Sequence, residues 1–370
     1  MQSKIKVMTI FGTRPEAIKM APLICELEKY PNQVESIVTV TAQHREMLDQ
    51  VLDLFNITPD YDLNIMKEDQ TLIDITTKGL IGLDDVIKQV LPDLILVHGD
   101  TTTTFMASLA AFYHHISVGH VEAGLRTYNK RSPYPEEMNR QLTGILADLH
   151  FAPTTAAAEN LRNEGKSDNI HITGNTAIDA LKFTVQKAYT NPILEKVGDR
   201  RFILLTAHRR ENLGKPLSYI FSAIKYLVEK HQELHVIYPV HPNPNVGRLA
   251  HDMLDDHPRI YLMSPLDVND FHNIISKAYL ILTDSGGIQE EAPSFGVPVL
   301  VLRDTTERPE GVEAGVLKLV GTNTQAIISA ANHLLTDEDA YQKMAQASNP
   351  YGDGKASMRI VEAILQYFEG

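Results

Sequence analysis

Two acidic residues, Asp100 and Glu122, each follow a short apolar run, and a third, Glu136, follows Pro135 where a helical period begins. Carboxylates at such positions can take up or return a proton. The competing reading of each is a cap or a solvated side chain: Asp100 precedes Thr101 to Thr104, and Glu136 suits the positive end of a helix dipole. Further along, His208-Arg209-Arg210-Glu211-Asn212 and His241-Pro242-Asn243 place imidazoles in loops after apolar runs. A histidine beside two arginines can donate to an oxyanion or shuttle a proton. A capping or buried histidine is the alternative, for His241 above all.

A different chemistry is written into Leu282-Thr283-Asp284-Ser285-Gly286-Gly287-Ile288-Gln289-Glu290-Glu291. Two glycines let the backbone approach a phosphate, the free N–H groups of the following helix point at it, and Ser285 adds a hydroxyl. Glu290 or Glu291 lies about one turn inside, where a carboxylate can accept from ribose hydroxyls. Arg303 and Arg308 follow the next strand, and Gly12-Thr13-Arg14 offers a second helix start and a third arginine, with Lys19 beyond it. Two such grips suit a diphosphate better than a single phosphate. No G-x-G-x-x-G follows the first strand and no G-x-x-x-x-G-K-[ST] occurs, so a bound NAD and a P-loop are disfavoured. Gly352-Asp353-Gly354-Lys355 has the wrong spacing and reads as a loop before the last helix. No His/Asp/Glu spacing resembles a metal site, and neither metal nor cofactor is expected.

These loops need elements to hold them. Strands are predicted over Ile5 to Phe11, Val34 to Thr41, Asp93 to His98 and Ile116 to Val121. In the second half they fall over Phe202 to Thr206, Leu234 to Val240, Arg259 to Leu262, Tyr279 to Thr283 and Val297 to Leu302. Helical periods separate them, including Arg45 to Phe55, Leu72 to Leu91, Thr102 to Tyr113, Glu136 to Leu146, Asp267 to Ser276 and Gly287 to Phe295. Such alternation means doubly wound parallel sheets, whose ligands bind beyond the carboxyl ends of the strands. Nearly every chemically capable residue falls in one of those loops, which points to a cleft between two domains. The polar stretch Gln186 to Arg201 is the candidate linker.

The bulk numbers agree. A chain of 370 residues exceeds what one core usually serves. Its net charge of -13 and lack of long basic runs argue against a nucleic-acid or anionic-membrane partner. Cys25 is the only cysteine, so no internal disulfide can form, and it reads as a buried inert thiol. The N-terminal apolar run is too short for a signal peptide or a membrane span, so a cytoplasmic protein is expected and the Asn56-Ile57-Thr58 sequon carries no meaning.

Taken together the loops resemble the non-hydrolysing UDP-N-acetylglucosamine 2-epimerases of bacteria. The matching stretches are Phe11 to Glu16, Thr41 to Arg45, Val97 to Thr104, Gly119 to Thr127, Pro135 to Glu137, Thr206 to Asn212, Asp284 to Glu291 and Arg303 to Gly315. The resemblance implies two Rossmann-like domains in the glycosyltransferase-B arrangement, 1–185 and 186–355, with a final helix, about 356–370, crossing back onto the first, and usually a homodimer. It implies interconversion of UDP-GlcNAc and UDP-ManNAc for cell-surface polysaccharide. Asp100, Glu122, Glu136 and His208 would be catalytic, and Arg14, Lys19, Phe271, Ser285, Gly286, Gly287, Glu291 and Arg308 would bind substrate, Phe271 as a wall for the uracil. Some members bind a second UDP-GlcNAc as activator; the implied positions here are Gln43, His44, Glu46, Asp69, Glu136, Arg209 and His241. Glu46 and Asp69 would repel a diphosphate, so that site is expected to be altered. A hydrolysing epimerase, a glycosyltransferase on the same architecture and a non-catalytic nucleotide-sugar sensor are the rival readings.

Overall fold

The computed structural model describes residues 3–42, 45–65, 67 and 70–369. The chain divides into two compact units, Met1–Lys182 with Tyr351–Gly370, and Phe183–Pro350. The first unit is built on β1 (Ile5–Phe11), β2 (Val34–Val40), β3 (Tyr61–Asp62), β4 (Leu94–His98), β5 (Ser117–Val121), β6 (Leu149–Ala152) and β7 (Ile170–Ile172), ordered β3-β2-β1-β4-β5-β6-β7. The second is built on β8 (Phe202–Thr206), β9 (His235–Pro239), β10 (Ile260–Met263), β11 (Leu280–Thr283), β12 (Val299–Val301) and β13 (Leu317–Leu319), ordered β10-β9-β8-β11-β12-β13. Every pairing is parallel. Helices cover both faces, which is why β1, β4, β8 and β11 read as apolar runs rather than alternating ones.

Both units are Rossmann-like, and the same topology creates the same opportunity in each. The chain leaves β1 to one side through β2 and returns on the other as β4, so the loops after β1 and β4 part at a crevice. The pair β8 and β11 repeats this in the second unit. Gly12 to Arg14 and Gly99 to Thr101 flank the first switch point; Ala207 to Asn212 and Asp284 to Gly287 flank the second.

Two expectations about organisation are corrected. Gln186 to Arg201 is not a linker: it carries a helix, Pro192–Val197, whose Ile193 and Val197 are buried in the second unit's core because the stretch is polar only on its outer side. The predicted helix from Gly287 to Phe295 is an α-helix over Gly286–Glu291 followed by a 3-10 turn over Ala292–Phe295, since Pro293 cannot donate to the ladder. Cys25 is half-buried rather than enclosed, and burial pushes its thiol above the usual range, so it is not a thiolate nucleophile.

The chain's end belongs to the first unit. In the helix Ala356–Glu369, Ile360, Val361, Ala363 and Ile364 are buried in one core with Met20, Leu23, Ile24 and Leu27 of the helix Arg14–Leu27. Asp179 receives the free N–H groups of Ala356 and Ser357, at 3.1 and 2.9 Å, which anchors the start of that helix. No helix among the described residues is long and apolar enough to cross a membrane.

Candidate active site

At the carboxyl edge of the first sheet the acids are drawn together by a buried arginine. Arg140 projects from the helix Glu136–Leu146 and its Nη2 donates to Asp100 Oδ2 at 2.5 Å and to Glu122 Oε1 at 3.3 Å. Its Nη1 donates to the backbone carbonyl of Glu122. The other Glu122 oxygen meets the Lys19 ammonium in a tight ion pair, accepts from Asn175 Nδ2 at 3.3 Å and lies 3.7 Å from His98 Nε2. Burial alone would raise the Glu122 carboxyl, but Lys19, His98 and Arg140 outweigh it and hold the group well below the usual range. Glu122 also has φ of 61°, a left-handed conformation that is costly for a side-chain-bearing residue and common at functional sites.

Loops on either side are pinned by Glu16. Its Oε2 accepts from Gly12 N, Thr13 N and Thr13 Oγ1 at 3.1, 2.9 and 2.8 Å, and its Oε1 from Thr101 Oγ1 and Thr104 Oγ1 at 2.7 and 3.3 Å. One buried carboxylate thus ties the turn after β1 to the helix start after β4. Thr101, not Asp100, caps the helix Thr102–Tyr113, accepting from Thr104 N at 3.1 Å. The capping reading of Asp100 is therefore wrong, because a threonine one residue later does that work and leaves the carboxylate for Arg140.

Glu136 opens the helix that carries Arg140 and lies one turn before it on the same face, half-buried. Among the described residues no hydrogen bond or ion pair joins it to Asp100 or Glu122. Arg14 is half-buried and its guanidinium likewise has no such partner among the described residues, so it is available to an anion. Lys19, grouped by resemblance with the substrate grip, has its ammonium on Glu122.

In the second unit the organising group is Asp284, fully buried after β11. Its Oδ2 accepts from His208 N and Arg209 N at 2.8 Å each and from Asn212 Nδ2 at 3.0 Å, while Oδ1 lies 3.6 Å from His208 Nδ1. The loop after β8 is thereby fastened to the turn after β11. His208 stacks on His241 with ring centres 4.8 Å apart. Burial, together with His241 and Arg209, pushes the His208 imidazole below its ordinary value against the pull of Asp284, so it is neutral at pH 7.

Ser285 precedes the helix Gly286–Glu291, and its side chain makes no capping bond. The Arg308 guanidinium lies over Gly286, where a side chain's Cβ would sit 3.5 Å from Cζ, and is held by Glu290 Oε1 at 2.8 and 2.7 Å. Glu290 is thus committed to Arg308. Glu291 instead lies with Oε2 3.5 Å from His272 Nε2. Phe271 lies within the helix Val268–Ile275, partly buried against the second unit's core. Gln43, His44 and Asp69 lie outside the described residues, as does the side chain of Glu46.

Four groups escaped the sequence reading as site builders: Arg140, Glu16, Asn175 and Asp284. Arg140 had one usable signal, its spacing of four from Glu136 on a helix. Glu16 had another, the Thr-x-x-Glu pattern of a capping box. Nothing local marks Asn175, whose loop reaches Glu122 only through the fold.

Two Rossmann-like units, one presenting a phosphate-type turn beside a neutral histidine and the other a carboxylate–guanidinium–ammonium cluster, define an α/β enzyme equipped for an anionic ligand and for proton transfer. Residues 26–365 match the family model described as UDP-N-acetylglucosamine 2-epimerase. The chain is 64% identical over 366 residues to the UDP-N-acetylglucosamine 2-epimerase of Bacillus subtilis, covering 99% of this chain and 96% of that one. A crystal structure of a putative UDP-N-acetylglucosamine 2-epimerase from Listeria monocytogenes is 60% identical, with a TM-score of 0.96 over 99% of this chain and 97% of that one. The UDP-GlcNAc 2-epimerase of Neisseria meningitidis, solved bound to UDP-GlcNAc, is 52% identical with a TM-score of 0.87, covering 98% and 100%. The chain belongs to the UDP-N-acetylglucosamine 2-epimerase family and is an isomerase of that activity.

Proposed function

We propose that the enzyme interconverts UDP-GlcNAc and UDP-ManNAc without hydrolysis, by eliminating UDP to 2-acetamidoglucal and adding it back, and so supplies ManNAc units for cell-surface polysaccharide. The C2 proton is not next to a carbonyl, so simple removal is too difficult. Breaking the C1–O bond, with its electron pair leaving on the diphosphate oxygen, makes C1 electron-poor and acidifies C2–H. Loss of that proton to a carboxylate forms the C1–C2 double bond. Protonation on the other face and return of UDP at C1 gives the epimer.

The division of labour follows the units. The second unit, Phe183–Pro350, holds UDP through Ser285, Gly286, Gly287, Arg308 and His208, with Phe271 and Glu291 at the nucleoside. The first unit, Met1–Lys182 with Tyr351–Gly370, supplies Asp100, Glu122 and Glu136 for protons and Arg14 for the departing diphosphate. The observation that carries the reading is the convergence of Asp100 and Glu122 on Arg140, with Lys19 paired to Glu122, because a transferase or a sensor has no use for an acid–base cluster of this kind.

The test is incubation with UDP-GlcNAc in heavy water. UDP-ManNAc carrying deuterium at C2 is the expected product, and stoichiometric free ManNAc would refute the non-hydrolytic route. Asp100→Asn and Glu122→Gln should each slow turnover by roughly 100-fold or more while UDP binding persists.

A further inference from the structure

We propose that Arg140 is the positioning residue of the acid–base pair, its single Nη2 nitrogen setting the orientation of Asp100 and Glu122 relative to one another. The inference rests on the acid–base reading above and deepens it.

Three observations carry it. First, Arg140 Nη2 donates to carboxylates from two different strand ends, after β4 and after β5, at 2.5 and 3.3 Å, while Nη1 takes the Glu122 carbonyl. A planar guanidinium fixes both acids at once, as an ammonium, a point charge on a flexible stem, cannot. Second, the guanidinium is buried. Burial disfavours its charge, but Asp100 and Glu122 more than compensate and raise it, so the cation is permanent. Third, the clamp divides the two acids unequally. Glu122 is 8% exposed with both oxygens engaged, by Arg140 on one side and by Lys19 and Asn175 on the other. Asp100 is 31% exposed and gives only Oδ2 to Arg140. Its Oδ1 has no protein partner among the described residues. Arg140 therefore turns one Asp100 oxygen outward while it holds Glu122 in place.

The groups facing the pair are Lys19 from the helix after β1, His98 at the end of β4, and Arg140 from the helix after β5. His120 on β5 lies behind them and donates from Nε2 to the Gly99 carbonyl at 2.7 Å; burial and Arg140 keep it neutral. Arg140 and Lys19 balance the two carboxylates. Without Arg140 the acids would face each other across one ammonium, and Glu122 would titrate higher.

The test uses Arg140→Met and Arg140→Lys in the full-length enzyme, with three readouts: UDP affinity by calorimetry, kcat for epimerisation across pH, and melting temperature. Arg140→Met is expected to lose ~100-fold or more in kcat. The acidic limb of its kcat profile should move upward by about one pH unit, with UDP affinity within threefold of wild type. Arg140→Lys restores charge but not the fork, so the limb should return toward its original position while kcat stays ~10-fold or more down. A lesion of packing alone would lower melting temperature without moving the limb. Should Arg140→Met fail to fold, Arg140→Lys decides: kcat within threefold of wild type overturns the proposal, as does an unmoved limb in Arg140→Met. Wild-type deuterium uptake at C2 reports on the mechanism separately, so failure of either idea is visible without the other.

Discussion

Asp284→Ala removes a carboxylate that reaches no solvent and on which the loop after β8, proposed above to hold UDP, is fastened. Three donors lose their acceptor, the N–H groups of His208 and Arg209 and the amide of Asn212, at 2.8, 2.8 and 3.0 Å. Each unsatisfied buried donor costs about 1–3 kcal/mol, and since the His208 end of the loop can reach water, ~3–5 kcal/mol is a fair total. Part of this appears as lost stability and part as a loop that stays folded but is no longer held. If ~2 kcal/mol takes the second form, the competent arrangement is depleted about 30-fold and the apparent Kd for UDP rises by the same factor. Asp284→Asn keeps the shape and one acceptor oxygen, so it should fall between wild type and Asp284→Ala. Calorimetric titration with UDP, paired with thermal melting of each variant, measures both parts. If Asp284→Ala binds UDP within threefold of wild type and melts within ~1 °C of it, the loop is held by something other than this carboxylate.

Glu16→Gln should loosen the turn after β1 and the helix start after β4 together, costing ~1–3 kcal/mol in urea denaturation, because the amide cannot accept five donors. Gly12→Ala should cost ~1–3 kcal/mol and lower kcat, since the new Cβ falls against the Thr41 hydroxyl and 2.7 Å from that of Thr103; wild-type melting would show the turn has slack. His150, pushed down to about 4 by burial, then by Lys166 and Arg126, stays neutral in the fold while the unfolded chain takes a proton near 6.5. Stability should therefore fall as pH drops below 6.5 and level near 4, by up to ~3 kcal/mol from this group, and His150→Asn should flatten that slope in melts across pH.

Local signals carried most of the fold and only part of the site. β1, Ile5–Phe11, is an unbroken apolar run bounded by Gly12, and both its ends were legible, as were those of β8 and of the helix Thr102–Tyr113. Strand ends elsewhere moved by a residue or two because β-pairing stops where a neighbour stops: β12 is Val299–Val301 although the apolar run extends from Val297 to Leu302. The polar Gln186–Arg201 stretch misled because polarity marks exposure on one side, not absence of packing on the other; Ile193 and Val197 are buried in the core, and Gln186 N donates to Asn273 Oδ1 at 2.8 Å.

The acids show where sequence reasoning stops. Asp100 and Glu122 stand out because strand ends on one sheet edge are few, but what orients them sits on a helix, in a position that reads as ordinary surface. A buried Arg140 is visible only once β4, β5 and the helix Glu136–Leu146 are side by side, because its partners lie 40 and 18 residues away. The same holds for Asp284, whose partners lie 72 to 76 residues away. Catalytic groups sit in loops and announce themselves by type. The groups that aim them are buried and already bonded, so their chemistry is silenced by partners that only the fold supplies. Of the groups proposed to react, Asp100 and Glu122 are backed by Arg140 and His208 by Asp284, whereas Glu136 has no such group behind it among the described residues. A substitution behind the reactive group should therefore alter pH dependence or ligand affinity before it alters the fold, which is the pattern that the Arg140 and Asp284 variants measure.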